Sequence, residues 1–321
     1  MKRIVFGALI ASALVSSCAK NGETVSSEGM KAMSLVSVNI GDGVRSSISG
    51  TAFSSADETG IGLFLTAMDG GNYDGRTSGY SNVKYVSAAG ASTWTAVSPI
   101  MLSGTKGKLY GYYPYDSAVS DIKAVPVESS LDGTDYMYAD AVENVSSKAP
   151  GVSLTLRHAL ARVTVKFVKD ETYSGACRIT TLSISGAGIT GSGILDATAG
   201  TIFPASVSEV AFPVDTTFSV ADYEAELLIV PALTEEGRQT VNVKCTMDSK
   251  GFDITLADAD GVIVRQGVCS SVVLIAKNDG FTVKSVTVTD WDGGSGSNAN
   301  TGHTVIVSEM GSGEYGGDIN M

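Results

Sequence analysis

The chain has 321 residues, a formal net charge of −12 and only 17 % charged residues. This acidic balance argues against nucleic acid as a partner, because contacts to phosphates require basic patches. The 37 glycines, together with many Ser, Thr and Val residues, are typical of short strands joined by turns. The composition therefore predicts an all-β protein with one large domain or two mid-sized domains.

The first 17 residues have the parts of an export signal. Two basic residues open the segment, and the apolar stretch that follows, residues 4–15, is too short to span a bilayer comfortably. The junction VSSC resembles a bacterial lipobox, in which small residues precede a cysteine that is acylated before cleavage. We expect residues 1–17 to be removed and Cys18 to be lipid-modified, which would tether the chain to the outer membrane. An ordinary secretory signal followed by a chance cysteine is the alternative.

Beyond a polar tether at residues 18–32, apolar residues alternate with period two in at least eleven short segments bounded by Gly, Asp or Ser. Helical periodicity over ten or more residues is absent. The pattern predicts two tandem β-sandwiches, at residues 33–168 and 169–294. We place the boundary at the polar, turn-forming sequence VKDETYSG, which begins at residue 168.

The sequence contains no recognisable catalytic frame. His158 lies beside apolar strand residues, which favours a packing or capping role, and His303 has no metal-ligand spacing around it. A GxGxxG motif at residues 186–191 precedes turn-like sequence and not a helix, so we interpret it as turns between strands. The acidic loops at 258–261 and 290–293 lack the ligand series of a calcium loop. We expect no enzyme activity, no cofactor and no metal, although paired carboxylates could still meet in space.

The three cysteines after Cys18 have no metal-binding spacing. Cys177, Cys245 and Cys269 contain no CxxC pair, and their number is odd. One disulfide is compatible with an exported protein. We favour the interpretation that all three are small residues buried in the core, because Cys177 and Cys245 lie in or beside strand-like runs.

Five short segments occur together in a distinctive order. They are Thr59–Phe64 (TGIGLF), Tyr110–Tyr115 (YGYYPY), Leu156–Val163 (LRHALARV), Leu228–Pro231 (LIVP) and Val288–Trp291 (VTDW). Their order and spacing resemble the fimbrillin family of Bacteroidales, the subunits of lipoprotein-derived pili, over about residues 33–294. The resemblance implies two transthyretin-like β-sandwich domains, other fimbrial subunits as partners and no enzyme activity.

The resemblance also implies an assembly mechanism. In stalk subunits of this family, a cut after Arg or Lys behind the first strand removes that strand, and a neighbouring subunit fills the groove with a strand of its own. Here the first strand would be residues 34–40, with Val36, Val38 and Ile40 on one face. A Gly-rich loop follows, so we predict that an Arg-specific protease cuts between Arg45 and Ser46. An ordinary surface arginine is the alternative.

The C-terminal residues supply a candidate donor. Residues 292–300 read as a flexible linker, and HTVIVSEM at 303–310 reads as a strand. The predicted donor residues, within a linker-and-strand region at 295–321, are Thr304, Val305, Ile306 and Val307. Such a segment could pair with an open strand edge of another subunit. Alternatively, it completes the second sandwich of its own chain.

We therefore predict a stalk-type fimbrial subunit at the cell surface. It would be exported as a lipoprotein, cut after Arg45 and polymerised with other copies by donor-strand exchange. The alternative is a tip or accessory subunit, or a stand-alone adhesin that keeps its lipid and binds a host protein or glycan. A glycan-degrading enzyme is a third, disfavoured class. The adhesion target and the register of strand exchange do not follow from the residues.

Overall fold

The structure is a computed structural model. It describes residues 29–41, 60–76, 79–87, 94–219, 221–233, 237–257 and 260–291, and the backbone alone at 47–48 and 304–305. This part of the chain forms 25 strands and one 3-10 turn at Tyr73–Gly75. The strands are β1 Lys31–Ala32, β2 Ser34–Ile40, β3 Ser47–Ile48, β4 Ile61–Ala67, β5 Tyr80–Ser87, β6 Trp94–Thr95, β7 Met101–Leu102, β8 Gly107–Tyr113, β9 Val125–Glu128, β10 Ser130–Leu131, β11 Met137–Ala139, β12 Val142–Val145, β13 Gly151–His158, β14 Ala161–Lys169, β15 Arg178–Gly186, β16 Ile189–Thr190, β17 Ser192–Asp196, β18 Thr201–Pro204, β19 Val210–Thr217, β20 Tyr223–Pro231, β21 Val241–Met247, β22 Lys250–Leu256, β23 Val268–Lys277, β24 Gly280–Asp290 and β25 Thr304–Val305.

The first group of strands surrounds one hydrophobic core, called the first core. Its main sheet has the order β3-β2-β13-β11-β8-β4-β5-β6, and β12 also pairs with β8. A short ladder of β1 and β7 contributes Leu102 to the same core. Leu63 of β4, Leu109 of β8 and Leu154 of β13 are fully buried in it. Alternating residues on each strand supply these side chains, as a period-two pattern requires.

A second core lies between two further sheets. One sheet has the order β10-β20-β14-β23-β24-β25, with β16 also on β20, and the other has the order β19-β15-β21-β22. Val163, Val165 and Phe167 of β14 are buried in this core with Val241 and Val243 of β21. The prediction of an all-β fold is confirmed. The division into two tandem transthyretin-like domains stays a prediction.

The predicted boundary after residue 168 is not where strand pairing changes. β14 pairs antiparallel with β20 and parallel with β23, so it belongs to the second group of sheets. Apart from β9 and β10, which also pair with strands of the second half, the chain passes from one group to the other between His158, at the end of β13, and Ala161, at the start of β14. In the polar sequence at 168–175, the first two residues end β14 and the others lie in the loop between β14 and β15, within the second group. Turn-forming residues mark any loop, whereas long-range pairing decides which sheet a strand joins.

A third cluster, called the junction core, joins the two groups. β9 and β10 come from the first half of the chain, yet they pair with β17 and β20. Val125 and Val127 of β9 are buried here with Leu228 and Val230 of β20. β20 is therefore buried on both faces, because its alternate residues Leu227 and Ile229 belong to the second core. Burial on both faces explains the nearly continuous apolar run of this strand.

Candidate assembly site

Residues 31–41 are held by backbone pairing on two sides. β1 runs antiparallel to β7, whereas β2 runs parallel to β13. Between the two strands, the Met33 N–H donates to the Ile100 carbonyl at 2.7 Å, and the Ser34 N–H donates to the Pro150 carbonyl at 2.9 Å. The segment therefore fills a slot in the first core and contacts strands on both sides of it.

A β-bulge in β2 changes which residues face inward. In the ladder with β13, Leu35 pairs with Val152 but Ser37 pairs with Ser153, so Val36 is an extra residue. Val36 is 58 % exposed, whereas Leu35 is 2 % exposed. The sequence places Val36, Val38 and Ile40 on one face, and this is wrong at Val36, which the bulge turns away from Val38. An inserted residue shifts the alternation by one position, which exchanges inward and outward residues on one side of the bulge.

The inward side chains of this segment belong to the first core. Met33, Leu35 and Val38 are buried, and Ile40 is partly buried against the same cluster. The period-two pattern alone does not identify Met33 and Leu35 as buried residues. A signal was present in the adjacent apolar residues Leu35 and Val36, because two apolar neighbours break a strict period of two. Removal of the segment would leave an apolar slot that is bordered by β13 and β3 where β2 lay and by β7 where β1 lay.

The predicted cleavage and lipidation residues lie outside the described residues. Cys18, Arg45 and Ser46 are among them, so their surroundings stay predictions. The strands that flank Arg45 are described: β3 pairs antiparallel with β2, with Val38 opposite Ile48 and Asn39 opposite Ser47. The predicted cut therefore falls in the connection of a paired hairpin.

The predicted donor is described at only two residues. The backbone of Thr304 and Val305 forms β25, which pairs antiparallel with Thr287 and Val286 of β24. Ile306, Val307 and His303 lie outside the described residues. Within its own chain, the start of the segment thus pairs with the second group of sheets.

All five segments that carry the family resemblance contribute to the junction core. Phe64, Tyr112 and Leu160 are buried there, and each comes from a different segment. Leu228 is buried there too, and Trp291 packs against the same cluster. Segments far apart in sequence therefore share one structural role, which is to join the two groups of sheets.

Trp291 anchors the point from which the C-terminal residues continue. Its ring stacks on His158 with centroids 4.2 Å apart and planes 2° from parallel, and the Arg162 guanidinium carbon lies 5.1 Å from its ring centroid. The backbone N–H of Trp291 donates to the Gly267 carbonyl at 2.9 Å. His158 also contacts a carboxylate oxygen of Asp135 through Nδ1 at 2.5 Å. The stack on Trp291 is a packing contact, and packing or capping is the kind of role that the sequence favours for His158.

Gly62 and Tyr112 belong to two of the five segments that carry the family resemblance, and they lie against each other. A Cβ atom on Gly62 would lie 2.2 Å from Cε1 of Tyr112, so only glycine allows this ring position. The Tyr112 hydroxyl donates to Oδ1 of Asn82 at 2.8 Å and accepts from the Asp116 N–H at 3.1 Å. Burial raises the pKa of Tyr112 to about 12, so the hydroxyl keeps its proton at neutral pH.

Asp248 secures the loop that precedes β15. Its carboxylate accepts hydrogen bonds from the N–H groups of Cys177 (2.9 Å) and Arg178 (2.8 Å) and from the Tyr173 hydroxyl (2.8 Å). Burial opposes ionisation, but these donors outweigh it and hold the pKa of Asp248 below its ordinary value.

The remaining sequence motifs have structural explanations. The GxGxxG motif spans the end of β15 and the short β16, and β17 follows as another strand. Cys177, Cys245 and Cys269 are buried free thiols, as the favoured interpretation predicted. Among the described residues, no group of three His, Cys, Asp or Glu side chains could hold a metal ion. The same part of the chain has no helix that is long and apolar enough to cross a membrane.

Comparison with known proteins identifies the family. A candidate cell adhesion protein from Bacteroides uniformis has a TM-score of 0.58 and 20 % identity, over 81 % of this chain and 98 % of that chain. A second, from Bacteroides ovatus, has a TM-score of 0.59 and 17 % identity, over 82 % of this chain and 98 % of that chain. These likenesses show the shared fold. No curated protein sequence matches the chain. The fimbrillin-like family model matches residues 48–291, which is more than half of the sequence, and the chain therefore belongs to the fimbrillin-like family.

Proposed function

We propose that this protein is a stalk-type fimbrial subunit. It reaches the outer membrane as a lipoprotein anchored through Cys18, and an Arg-specific protease cuts it between Arg45 and Ser46. Other copies of the chain then polymerise with it by donor-strand exchange, and the C-terminal segment that begins at Thr304 is the donor. Membership of the fimbrillin-like family supports a fimbrial role at the cell surface.

The observation that carries this proposal is the way in which residues 31–40 sit in the first core. The segment lies at the N-terminal side of Arg45, and it contributes the buried side chains of Met33, Leu35 and Val38. A cut at Arg45 would separate it covalently from the described residues that follow, which begin with β3. The family match begins at residue 48, so the segment also lies outside the matched region.

The free energy that holds residues 31–40 in the first core determines whether this segment would dissociate after cleavage. Burial of three aliphatic side chains stabilises the bound segment by on the order of 6 kcal/mol, before the cost of ordering the chain. The ladders to β13 and β7 add backbone hydrogen bonds. Cleavage alone would therefore leave the strand bound, and a replacement strand must compete for the slot. This requirement matches exchange between subunits, since a new strand restores the same contacts.

The test is proteolysis of the purified precursor with an Arg-specific protease. We expect a new N-terminus at Ser46 and ladders that resist SDS. The Arg45→Ala variant is the matched control and should stay monomeric under the same treatment. A second variant that lacks residues 301–321 should be cut normally yet form no ladders. Clean cleavage at Arg45 that leaves only monomers would refute the stalk role, as would ladders from the deletion variant.

The pairing of β25 with β24 favours a second candidate. If the C-terminal segment completes its own sheet permanently, the protein is a tip or accessory subunit, or an adhesin that keeps its lipid and binds a host protein or glycan. In that case, deletion of residues 301–321 should destabilise the uncut monomer, and no ladders should form from the intact chain. The urea midpoint of the deletion variant, measured beside the ladder assay, separates the two roles.

A further inference from the structure

The bulge in β2 gives the slot an uneven spacing of apolar positions. From the C-terminal end of the strand, the inward residues are Ile40, Val38 and Leu35, with steps of two and then three residues. A regular strand has steps of two throughout. A replacement strand fits this slot only if its apolar residues follow the same uneven spacing.

The C-terminal segment has this spacing when it is read forwards. Val305, Val307 and Met310 are separated by steps of two and then three residues. With regular alternation, the position after Val307 on the same face would be Glu309. A carboxylate would then enter an apolar slot, which is strongly unfavourable for an unpaired charge.

We propose that the segment of a second copy enters the slot antiparallel to β13 and carries a bulge at Ser308 and Glu309. Val305 then takes the place of Ile40, Val307 that of Val38, and Met310 that of Leu35. This inference rests on the proposed donor-strand exchange and adds its direction, its register and the residues that determine its specificity.

Side-chain volume decides the direction. In the antiparallel register, valine replaces valine at the fully buried position 38, and methionine replaces leucine, which is a nearly volume-conserving exchange. In the parallel register with the same spacing, Met310 would have to fit in the place of Val38, and valines would replace the larger Met33 and Leu35. That arrangement overpacks one position and leaves cavities at two. The antiparallel match extends from Leu35 to Ile40 and ends before Met33, whose counterpart would be Ser312.

The two residues of the bulge also match in polarity. Ser308 takes the place of Ser37, whose hydroxyl donates to the Ser153 hydroxyl at 2.8 Å. Glu309 takes the place of Val36, the exposed extra residue of the bulge. Its carboxylate therefore stays in solvent, and no charge enters the first core.

Disulfide trapping between two variant chains tests the register. One chain carries Ser153→Cys at an exposed position of β13, and the other carries either Ser308→Cys or Glu309→Cys. After treatment of the mixed precursors with the protease and mild oxidation, the antiparallel register predicts a disulfide dimer with Ser308→Cys and none with Glu309→Cys. The parallel register predicts the reverse. Each variant alone, carrying the buried native cysteines, is the control for unrelated disulfides.

The outcomes separate this inference from the proposed function. Ladders with a dimer only for Glu309→Cys, or with no disulfide dimer for either variant, would overturn the register while donor exchange stands. If the wild-type chain forms no ladders at all, both fail. A second readout needs no cysteine: Met310→Asp should abolish ladders, whereas Ile306→Asp and Glu309→Lys should leave them. Loss of ladders with Ile306→Asp but not with Val307→Asp would place the opposite face inward and refute the register.

Discussion

Replacement of Leu35 by Ala in the uncut chain tests the bulge in β2. Leu35 is almost completely buried in the first core, and the substitution removes three carbon atoms from it. The lost transfer free energy and the remaining cavity together predict a loss of about 3 kcal/mol of unfolding free energy. The matched control is Val36→Ala, one residue away. Because Val36 is mostly exposed, its truncation should change stability by less than about 0.5 kcal/mol.

Urea unfolding followed by tryptophan fluorescence measures both variants. Trp94 is buried in the first core, so its emission reports the unfolding of the region that contains β2. At a slope of about 3 kcal/mol per molar, Leu35→Ala should lower the midpoint by about 1 M urea, with the slope unchanged. If Val36→Ala lowers the midpoint as much as Leu35→Ala does, Val36 faces inward and the bulge is wrong. The register proposed for the donor would then lose its basis as well.

Three further changes test other parts of the structure. Gly62→Ala should lower the unfolding free energy by about 2 kcal/mol or more, because the new methyl group overlaps the Tyr112 ring. The control Gly104→Ala, with open space around the new methyl group, should leave stability nearly unchanged when both variants are measured by thermal unfolding. Trp291→Ala should lower the unfolding free energy by about 2 kcal/mol, because aromatic packing at the junction core is lost. A change too small to measure by urea unfolding would contradict the anchoring role of Trp291. The depressed pKa of Asp248 contributes stability that is fully present above its ordinary pKa of 3.8 and is lost as the pH falls through the folded-state value. Asp248→Asn should therefore flatten the acid side of the stability profile, and an unchanged profile in stability measurements across that pH range would show that the hydrogen bonds to this carboxylate contribute little.

The class of fold was predictable because it depends on local patterns. Short alternating runs such as VTVKF and VNVKC can bury one face only as strands, and Gly, Asp and Ser between them end each strand locally. Strands β14 and β21 were visible in this way before their partners were known. The family was recognisable for a related reason, since its five segments keep their order along the chain.

The partners of each strand were not predictable from the same patterns. Nothing local in Ala161–Lys169 distinguishes a last strand of the first group from a first strand of the second. The choice depends on pairing with β20 and β23, which lie about 60 and 100 residues further along the chain. The boundary predicted after residue 168 therefore follows a strand that pairs with the second group.

Some features of the candidate site were likewise predictable from sequence, and others depend on strand pairing and packing. The strand at 34–40, the arginine behind it and an apolar segment near the C-terminus could be read from the residues alone, because each is a local pattern. The inward direction of Leu35 and the outward direction of Val36 depend on strand pairing, since a bulge arises from the register with β13 and not from β2 alone. The convergence of five distant segments on the junction core was likewise decided by packing, because burial from several sides is a property of the assembled sheets.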